Sequence, residues 1–313
     1  MRMKDIACEL GLSIATVSRV VNGSSNVNEK TKEKVLNFIK EKNYTPNVMA
    51  QCLSKQVSKT VAFLVPNITN PFFASLIDKI SKIFIEKGYQ ITLYNTVGNL
   101  KLEQKAIQSI MGQNVAAVIA ILNDGKYEIN PLKILQEKNI PIYLLDRDID
   151  GSVFPGVFID NYLGAYEITK ELIKEGHKDI AIITGNLRFL NARERLRGFK
   201  DALQDAGIEI TEDNIYEGDY LFESGYNLAD KILKKNYSAV FSCNNLMLYG
   251  FLKAFKNSNR NLRFACFEKT DYLDILDIDI KFLKVPLDRI AEEIYRLFIT
   301  KEKKQKIYIE PVL

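Results

Sequence analysis

The stretch MKDIACELGLSIATVSRVVN, residues 3–22, decides the fold of the N-terminus. Its first half places apolar side chains on one face of a short helix, and Gly11 then supplies a tight turn. In the second half, Ser13 can cap a helix whose valines form an apolar stripe. The sequence therefore predicts two short helices joined by a turn.

The N-terminal end of the second helix carries small and polar side chains outside this valine stripe. In a helix-turn-helix, the second helix enters the DNA major groove and reads base edges with its N-terminal residues. The candidate DNA-contacting residues of this helix are Ser13, Ile14, Ala15, Thr16, Ser18, Arg19 and Asn22. An ordinary helical hairpin shows the same pattern, so these residues alone leave both interpretations open.

The segments that follow carry a more specific pattern. Asn28 can cap a predicted helix over residues 28–42, and YTPN follows at residues 44–47. The order ATVSRVVNG, VNEKTKEKV, YTPN and A-x-x-L resembles the DNA-binding end of the lac repressor (LacI/GalR) family without gaps from Lys4 to Leu53. The resemblance implies a bacterial transcription factor with a helix-turn-helix.

In that family, the segment after the YxPN motif is a hinge helix, here about residues 47–56, that becomes ordered on the operator. The resemblance makes Leu53 the wedge between base pairs in the minor groove and Ala50 the small residue that permits close approach. Asn47 and Gln51 suit contacts with phosphates and groove edges. Unstacking one base step costs a few kcal/mol, which the contacts of a bent duplex offset. The structural alternative is a plain linker with a surface leucine.

Charge is distributed unevenly along the 313 residues. Residues 1–58 hold nine Lys or Arg and five Asp or Glu, a net charge of +4, which equals the net charge of the whole chain. The remaining residues are therefore neutral. This distribution is expected when a small N-terminal domain, residues 1–58, contacts phosphates and a core, residues 59–313, has another task.

Several classes of function have no signature in the sequence. One histidine and four cysteines without a C-x-x-C pair favour neither a metal site nor a disulfide framework. Asp146, Asp148 and Asp150 have an i, i+2 spacing, but a polar turn explains them more simply than metal or acid–base chemistry. No export signal or long apolar segment is present. We therefore expect a cytoplasmic protein that is not an enzyme, with no cofactor, no metal and no membrane partner.

From Thr60 onward, apolar runs such as TVAFLVP, AAVIAIL and IPIYLLD alternate with amphipathic helical segments. This alternation predicts parallel sheets covered by helices on both faces. A second series begins after Asp160. The two series resemble the periplasmic-binding-protein-like core of the family, with an N-lobe of about 60–159 plus 287–304 and a C-lobe of about 160–286 plus 305–313.

Ligands of parallel α/β sheets bind beyond the carboxyl ends of the strands, which here face a cleft between the lobes. Arg195 matches the arginine that holds the effector in the family. Phe73 falls on a buried helical stripe, so we expect Phe72 to be the better partner for stacking. The candidate effector residues at strand ends and family motifs are Phe72, Phe73, Asp146, Arg147, Phe189, Asn191, Arg195, Tyr220, Asn245 and Glu268.

The cleft departs from the family pattern, which usually has Asn-Asp where this chain has Asn244-Asn245, and aspartate where it has Glu268. Losing one carboxylate beside Arg147 and Arg195 makes the cleft less hostile to an anion. The sequence thus predicts a repressor that binds a near-palindromic operator as a homodimer, controlled by a sugar-like effector. A phosphorylated sugar or sugar acid is favoured over a purine. The alternative is a cytoplasmic solute-binding or carbohydrate-active protein without operator function.

Overall fold

The computed structural model describes residues 3–21, 27–42, 58–123, 131–270 and 278–313. The chain divides into two compact units, Met1–Ser58 and Lys59–Leu313. This division matches the domain boundary expected from the charge distribution.

The first unit contains three described helices, α1 (Met3–Leu10), α2 (Ile14–Val21) and α3 (Glu29–Glu41). Gly11 has a φ of +67°, in the left-handed region that glycine adopts without a steric penalty. Apolar side chains from all three helices form one small core, whose fully buried members are Ile6, Ala7, Val17, Val20 and Val35. The predicted helix pair and the third helix over it are confirmed.

The second unit contains two parallel sheets. The first has the strand order β11-β5-β4-β3-β1-β2 and the second has the order β10-β9-β8-β6-β7. The strands are β1 (Thr60–Val65), β2 (Gln90–Asn95), β3 (Ala117–Ala120), β4 (Ile142–Asp146), β5 (Gly156–Ile159), β6 (Ile180–Thr184), β7 (Ile215–Glu217), β8 (Ala239–Ser242), β9 (Arg263–Cys266), β10 (Ile280–Phe282) and β11 (Lys306–Ile309).

Helices connect these strands and cover both faces of each sheet. They are α4 (Pro71–Glu86), α5 (Leu100–Met111), α6 (Pro131–Glu137), α7 (Asn161–Lys174), α8 (Leu190–Asp205), α9 (Phe222–Leu233), α10 (Asn245–Phe255) and α11 (Leu287–Thr300). The central strands β1, β3, β4, β6 and β8 are almost wholly buried, as expected for parallel sheets between helical layers. The predicted two-lobed α/β core is confirmed.

One lobe boundary expected from the sequence is wrong. Residues 305–313 were assigned to the C-lobe, but β11 pairs in parallel with β5 at the edge of the first sheet, Lys306 opposite Gly156 and Ile309 opposite Ile159. Helix α11 packs on the first lobe against α4 and so brings the chain to the open edge of β5. The last crossing toward the second lobe therefore follows Ile309, where Val312 forms an antiparallel bridge with Lys284.

Close packing of α7 against α8 positions the floor of the cleft. A Cβ on Gly198 would lie 2.3 Å from the Tyr162 carbonyl oxygen, so only glycine permits this approach. The approach brings Asn161, at the start of α7, within hydrogen-bonding distance of Arg195, one turn before Gly198. Within the described part of the chain, no helix is long and apolar enough to cross a membrane.

Candidate functional site

The N-terminal end of α2 is the candidate DNA-reading surface. The Ser13 hydroxyl accepts a hydrogen bond from the Thr16 amide at 3.1 Å, so Ser13 caps the helix as predicted. Ile14 is 50% exposed, and Ala15 and Arg19 are also exposed. Thr16 and Ser18 are partly exposed. The valines face the core, so the predicted contact residues that the structure describes share the outer face.

The remaining predicted DNA contacts lie outside the described residues. They are Asn22 and the hinge-helix residues Asn47, Ala50, Gln51 and Leu53. Their roles stay predictions.

The candidate effector cleft lies between the lobes, at the carboxyl ends of the strands. From the first lobe it is lined by residues that follow β1, β3 and β4, and from the second by residues near the starts of α8 and α10 and after β7. The placement agrees with the general rule for open parallel sheets.

Arg195 forms the deepest part of the cleft and is only 2% exposed. Its Nε donates to Asn161 Oδ1 at 2.7 Å, and its Nη1 donates to the carbonyl oxygen of Cys243. The guanidinium carbon lies 3.6 Å from the centroid of the Phe267 ring, a close cation–π contact. The protein itself therefore uses Nε and Nη1 of Arg195 as hydrogen-bond donors.

Glu268 supplies the nearest opposite charge, with Oε1 3.9 Å from Arg195 Nη2. Asn245 Nδ2 donates to Glu268 Oε2 at 3.1 Å. Burial raises the pKa of Glu268 from 4.5 to about 7, although Arg195 opposes the shift. The arginine thus faces an amide, Asn245, and one carboxyl group with a raised pKa, Glu268. By the family pattern given above, two carboxylates usually occupy these positions.

Asp146 ends β4 with a φ of +62°, a left-handed conformation that aspartate tolerates better than most residues. Burial raises the pKa of its carboxyl, and Arg147 and Arg195 act in the opposite direction. The backbone conformation of Asp146 directs the chain so that Arg147 enters the cleft.

Arg147 lies in a box of aromatic rings contributed by both lobes. Its guanidinium carbon is 4.5 Å from the Phe189 centroid, 5.8 Å from Phe73 and 5.9 Å from Tyr220. Its Nη1 donates to the Leu122 carbonyl oxygen at 3.0 Å. Burial lowers the pKa of the guanidinium, and the neighbouring Asp146 raises it. The arginine that connects the lobes is therefore Arg147.

Phe72 and Phe73 both belong to the main hydrophobic core, as expected for Phe73, but the expectation that Phe72 faces the ligand is wrong. Phe73 lines the cleft beside Arg147. Phe72 packs in the hydrophobic core and does not line either cleft cavity formed by the described residues. Asn70 caps α4 by accepting from the Phe72 amide at 3.0 Å. Phe73 therefore packs in the core and borders the cleft at the same time.

The other predicted residues are brought together around the two arginines. Asn191 lines the inner part of the cleft, and Phe189 and Tyr220 line the outer part with their ring centroids 6.4 Å apart. Tyr220 has a φ of +68° and its ring occupies the space beside Gly185, where a Cβ would lie 2.0 Å from the ring. Asn245 lies behind Glu268 and is fully buried.

Three buried polar atoms of residues that line the outer cavity have no hydrogen-bond partner in the described part of the protein: Arg147 Nε, the Tyr220 hydroxyl and Asn123 Oδ1. The sequence analysis missed Asn123, whose Nδ2 donates to Thr96 Oγ1 at 2.6 Å. Asn123 follows the β3 run AAVIAIL, and applying the strand-end rule to that strand would have found it. Unpaired buried polar atoms are costly, so these atoms indicate places where a ligand would bind.

The cleft is closed in this structure. The inner cavity, beside Arg195 and Glu268, has a volume of about 20 Å³, and the outer cavity, beside Asn67, Asn123 and Arg188, has about 350 Å³. Arg147, Phe73 and Tyr220 line both. Arg147 therefore borders both cavities, whereas Arg195 borders the inner one.

A capped helix with a small, polar outer face joined to a two-lobed sugar-binding type of core defines a ligand-regulated DNA-binding protein. Residues 2–47 match the model for bacterial regulatory proteins of the lacI family, and residues 58–269 match that for periplasmic binding proteins and the sugar-binding domain of the LacI family. The chain belongs to the LacI family and is a DNA-binding transcriptional regulator.

Individual relatives agree with this assignment. The HTH-type transcriptional regulator RegA of Clostridium saccharobutylicum is 35% identical over 264 residues, covering 82% of this chain and 78% of RegA. A lac repressor dimer bound to operator and the anti-inducer ONPF has a TM-score of 0.85 at 21% identity, covering 100% of this chain and 97% of the repressor. The Cra regulator of Pseudomonas putida in complex with fructose 1-phosphate has a TM-score of 0.75 at 20% identity, covering 82% and 98%.

Proposed function

We propose that this regulator responds to an anionic sugar, either a sugar phosphate or a sugar acid, and that Arg147 binds the anionic group. The observation that carries the proposal is the unpartnered Nε of Arg147 in the aromatic box. A guanidinium suits phosphate and carboxylate because its donors lie in one plane and remain charged at physiological pH.

The carboxylates of the cleft do not oppose an anion as strongly as their number suggests. Burial raises the pKa of Glu268 to about 7. Arg188 adds a second guanidinium to the outer cavity, 5.3 Å from the Phe189 centroid. The outer cavity is therefore lined by two guanidinium groups and one carboxylate, that of Asp219, beside an apolar wall.

The other two unpartnered atoms complement a polyhydroxylated ligand. The Tyr220 hydroxyl can donate to a phosphoryl or carboxylate oxygen, and Asn123 Oδ1 can accept from a sugar hydroxyl. The rings of Phe73 and Phe189 offer faces for the carbon-bound hydrogens of a sugar. A ligand of this class would pair all three buried atoms at once, and the Cra complex with fructose 1-phosphate is a precedent for such a ligand on this fold.

We propose that the regulator binds its operator as a homodimer in the cytoplasm, through α2 in the major groove and Leu53 in the minor groove. The effector would act by changing the lobe arrangement, since it binds residues from both. By linkage, the effector and the operator then change each other's affinity by the same factor. Of the cleft carboxylates, Glu268 is engaged by Arg195 and Asn245.

The test begins with selection of bound sequences from random duplex DNA by the full chain. We expect a palindromic site whose affinity falls steeply with salt, because phosphate contacts release counterions. The affinity for that site is then measured with a panel of hexose phosphates, hexuronic acids and neutral hexoses. We expect an anionic sugar to change operator affinity and Arg147→Met to weaken that response by at least about tenfold, since a charge-assisted hydrogen bond is lost.

Arg289→Met is the matched control, because Arg289 is exposed on α11 and does not line the cleft cavities. A response to neutral sugars alone, or an unchanged response of Arg147→Met, would refute an anionic effector. Failure to select any palindrome would instead contradict the operator function.

A further inference from the structure

A second cavity lies beside the effector cleft, where the chain crosses between the lobes at Asp160 and Asn161. This hinge cavity has a volume of about 330 Å³ and is lined from the first lobe by the ends of β4 and β5 and by Tyr308, and from the second lobe by the first turns of α7 and α8. Asp146 and Asn191 line both the hinge cavity and the inner cleft, so they form the wall between them.

Three aspartates, Asp146, Asp148 and Asp150, occupy alternate positions from the last residue of β4 onward. Asp148 holds the Lys306 ammonium, with Nζ–O distances of 2.6 and 2.9 Å, and the Tyr308 hydroxyl donates to it at 3.2 Å. Asp150 is paired with Arg193 at 2.5 Å. Two of the three aspartates thus each hold a cation that another element supplies.

Asp146 is the exception. Its side chain is 6% exposed and makes no hydrogen bond or ion pair with the residues that the structure describes. Arg147 and Arg195 act on it only at longer range, because their guanidinium groups are directed to Leu122, Asn161 and Cys243. A buried carboxylate without a partner is costly, and a cation in the cavity would remove that cost.

The walls of the hinge cavity suit an organic cation. Phe158 and Tyr308 pack with their ring centroids 5.6 Å apart, and the Lys306 ammonium lies 5.9 Å from the Phe158 centroid. Beside the cavity, Lys306 is thus an example of an ammonium held by a carboxylate and an aromatic face. Arg197 lines the cavity itself, and its guanidinium is paired with Glu194. Among the residues that the structure describes, no group of three His, Cys, Asp or Glu could hold a metal ion.

We propose that the hinge cavity, which shares Asp146 and Asn191 with the effector cleft, is a second ligand site that binds a small organic cation such as a diamine with one ammonium on Asp146. Its walls belong to both lobes, so the bound cation stabilises the lobe arrangement in which those walls meet.

Isothermal titration calorimetry of the full chain with 1,4-diaminobutane tests the proposal, with 1,4-butanediol as the neutral probe of equal length. We expect saturable binding of one diamine per chain and no binding of the diol. Asp146→Asn should weaken diamine binding at least tenfold while it keeps the fold, since asparagine is isosteric and also tolerates a left-handed conformation.

Leu190→Phe provides an independent variant, because Leu190 is half-buried at the start of α8 and lines the hinge cavity, which a larger side chain would fill. Glu167→Gln is the control for loss of one carboxylate, since Glu167 is paired with Lys170 on α7 and does not line the hinge cavity. Arg147→Met should keep or strengthen diamine binding, because it removes a positive neighbour of Asp146. Absence of saturable binding, or equal binding by Asp146→Asn and the wild type, would overturn the proposal.

Discussion

The two arginines of the cleft have the same chemistry and opposite surroundings. Arg195 is buried in the second lobe, where its Nε and Nη1 donate to Asn161 and the Cys243 carbonyl and Glu268 lies 3.9 Å from its Nη2. Arg147 comes from the first lobe, contacts rings of both lobes and keeps Nε without a partner among the described residues.

The comparison separates a residue that organises the cleft from one that is available to a ligand. A satisfied buried ion costs little in the folded state but much when its partners are removed. An unsatisfied donor at the entrance costs free energy until a ligand binds. Family motifs point to Arg195 as the effector residue, and the geometry adds Arg147 as a contact for an anion.

The largest expected effect is on stability at Arg195. Arg195→Met removes the guanidinium that donates to Asn161 and the Cys243 carbonyl and pairs with Glu268. These three polar groups then stay buried without that partner. We expect a loss of about 3–5 kcal/mol in the free energy of unfolding, as for other broken buried ion pairs. Urea denaturation followed by circular dichroism measures it. A loss under about 1 kcal/mol would show that Arg195 is not structural.

The next effect concerns the pH dependence that Glu268 confers. Its pKa is raised from 4.5 to about 7 in the folded protein, so this group contributes stability below its unfolded pKa and loses it as the pH rises through about 7. Between pH 4.5 and 8, the wild type should lose on the order of 2–3 kcal/mol more than Glu268→Gln. Parallel pH profiles of the two proteins in urea denaturation would contradict the assignment.

The smallest expected effect is the stability change at Arg147. Arg147→Met keeps much of the apolar contact with Phe73 and Phe189 and removes an incompletely paired cation, so the free energy of unfolding should change by about 1 kcal/mol or less. The same denaturation series measures it. A loss as large as that of Arg195→Met would remove the distinction between the two arginines.

The sequence predicted most of the fold for identifiable reasons. Buried parallel strands appear as continuous apolar runs, and caps such as Ser13 and Asn28 mark helix starts that the structure confirms. The last strand, Lys306–Ile309, was placed in the wrong lobe because its partner strand is set by a chain crossing rather than by its own four residues.

The candidate site was predictable where strand ends supply it and less so where side-chain direction matters. Strand ends gave Asp146 and Arg147, and the family motif gave Arg195. Helical periodicity marked Phe73 as a core residue but could not show that this core residue also borders the cleft, so Phe72 was preferred. The hydrogen bonds that occupy an arginine's N–H groups can come from residues more than 30 positions away in the chain, as for Arg195 and Asn161. No local sequence pattern shows such contacts.

The most direct test of the central claim is calorimetric binding of matched phosphorylated and neutral hexoses to the wild type, Arg147→Met and Arg289→Met. The account predicts that the wild type and Arg289→Met bind the phosphorylated sugar at least about tenfold more tightly than the neutral one, and that Arg147→Met loses this preference. Tighter binding of the neutral sugar by the wild type, or a preference that persists in Arg147→Met, would contradict it.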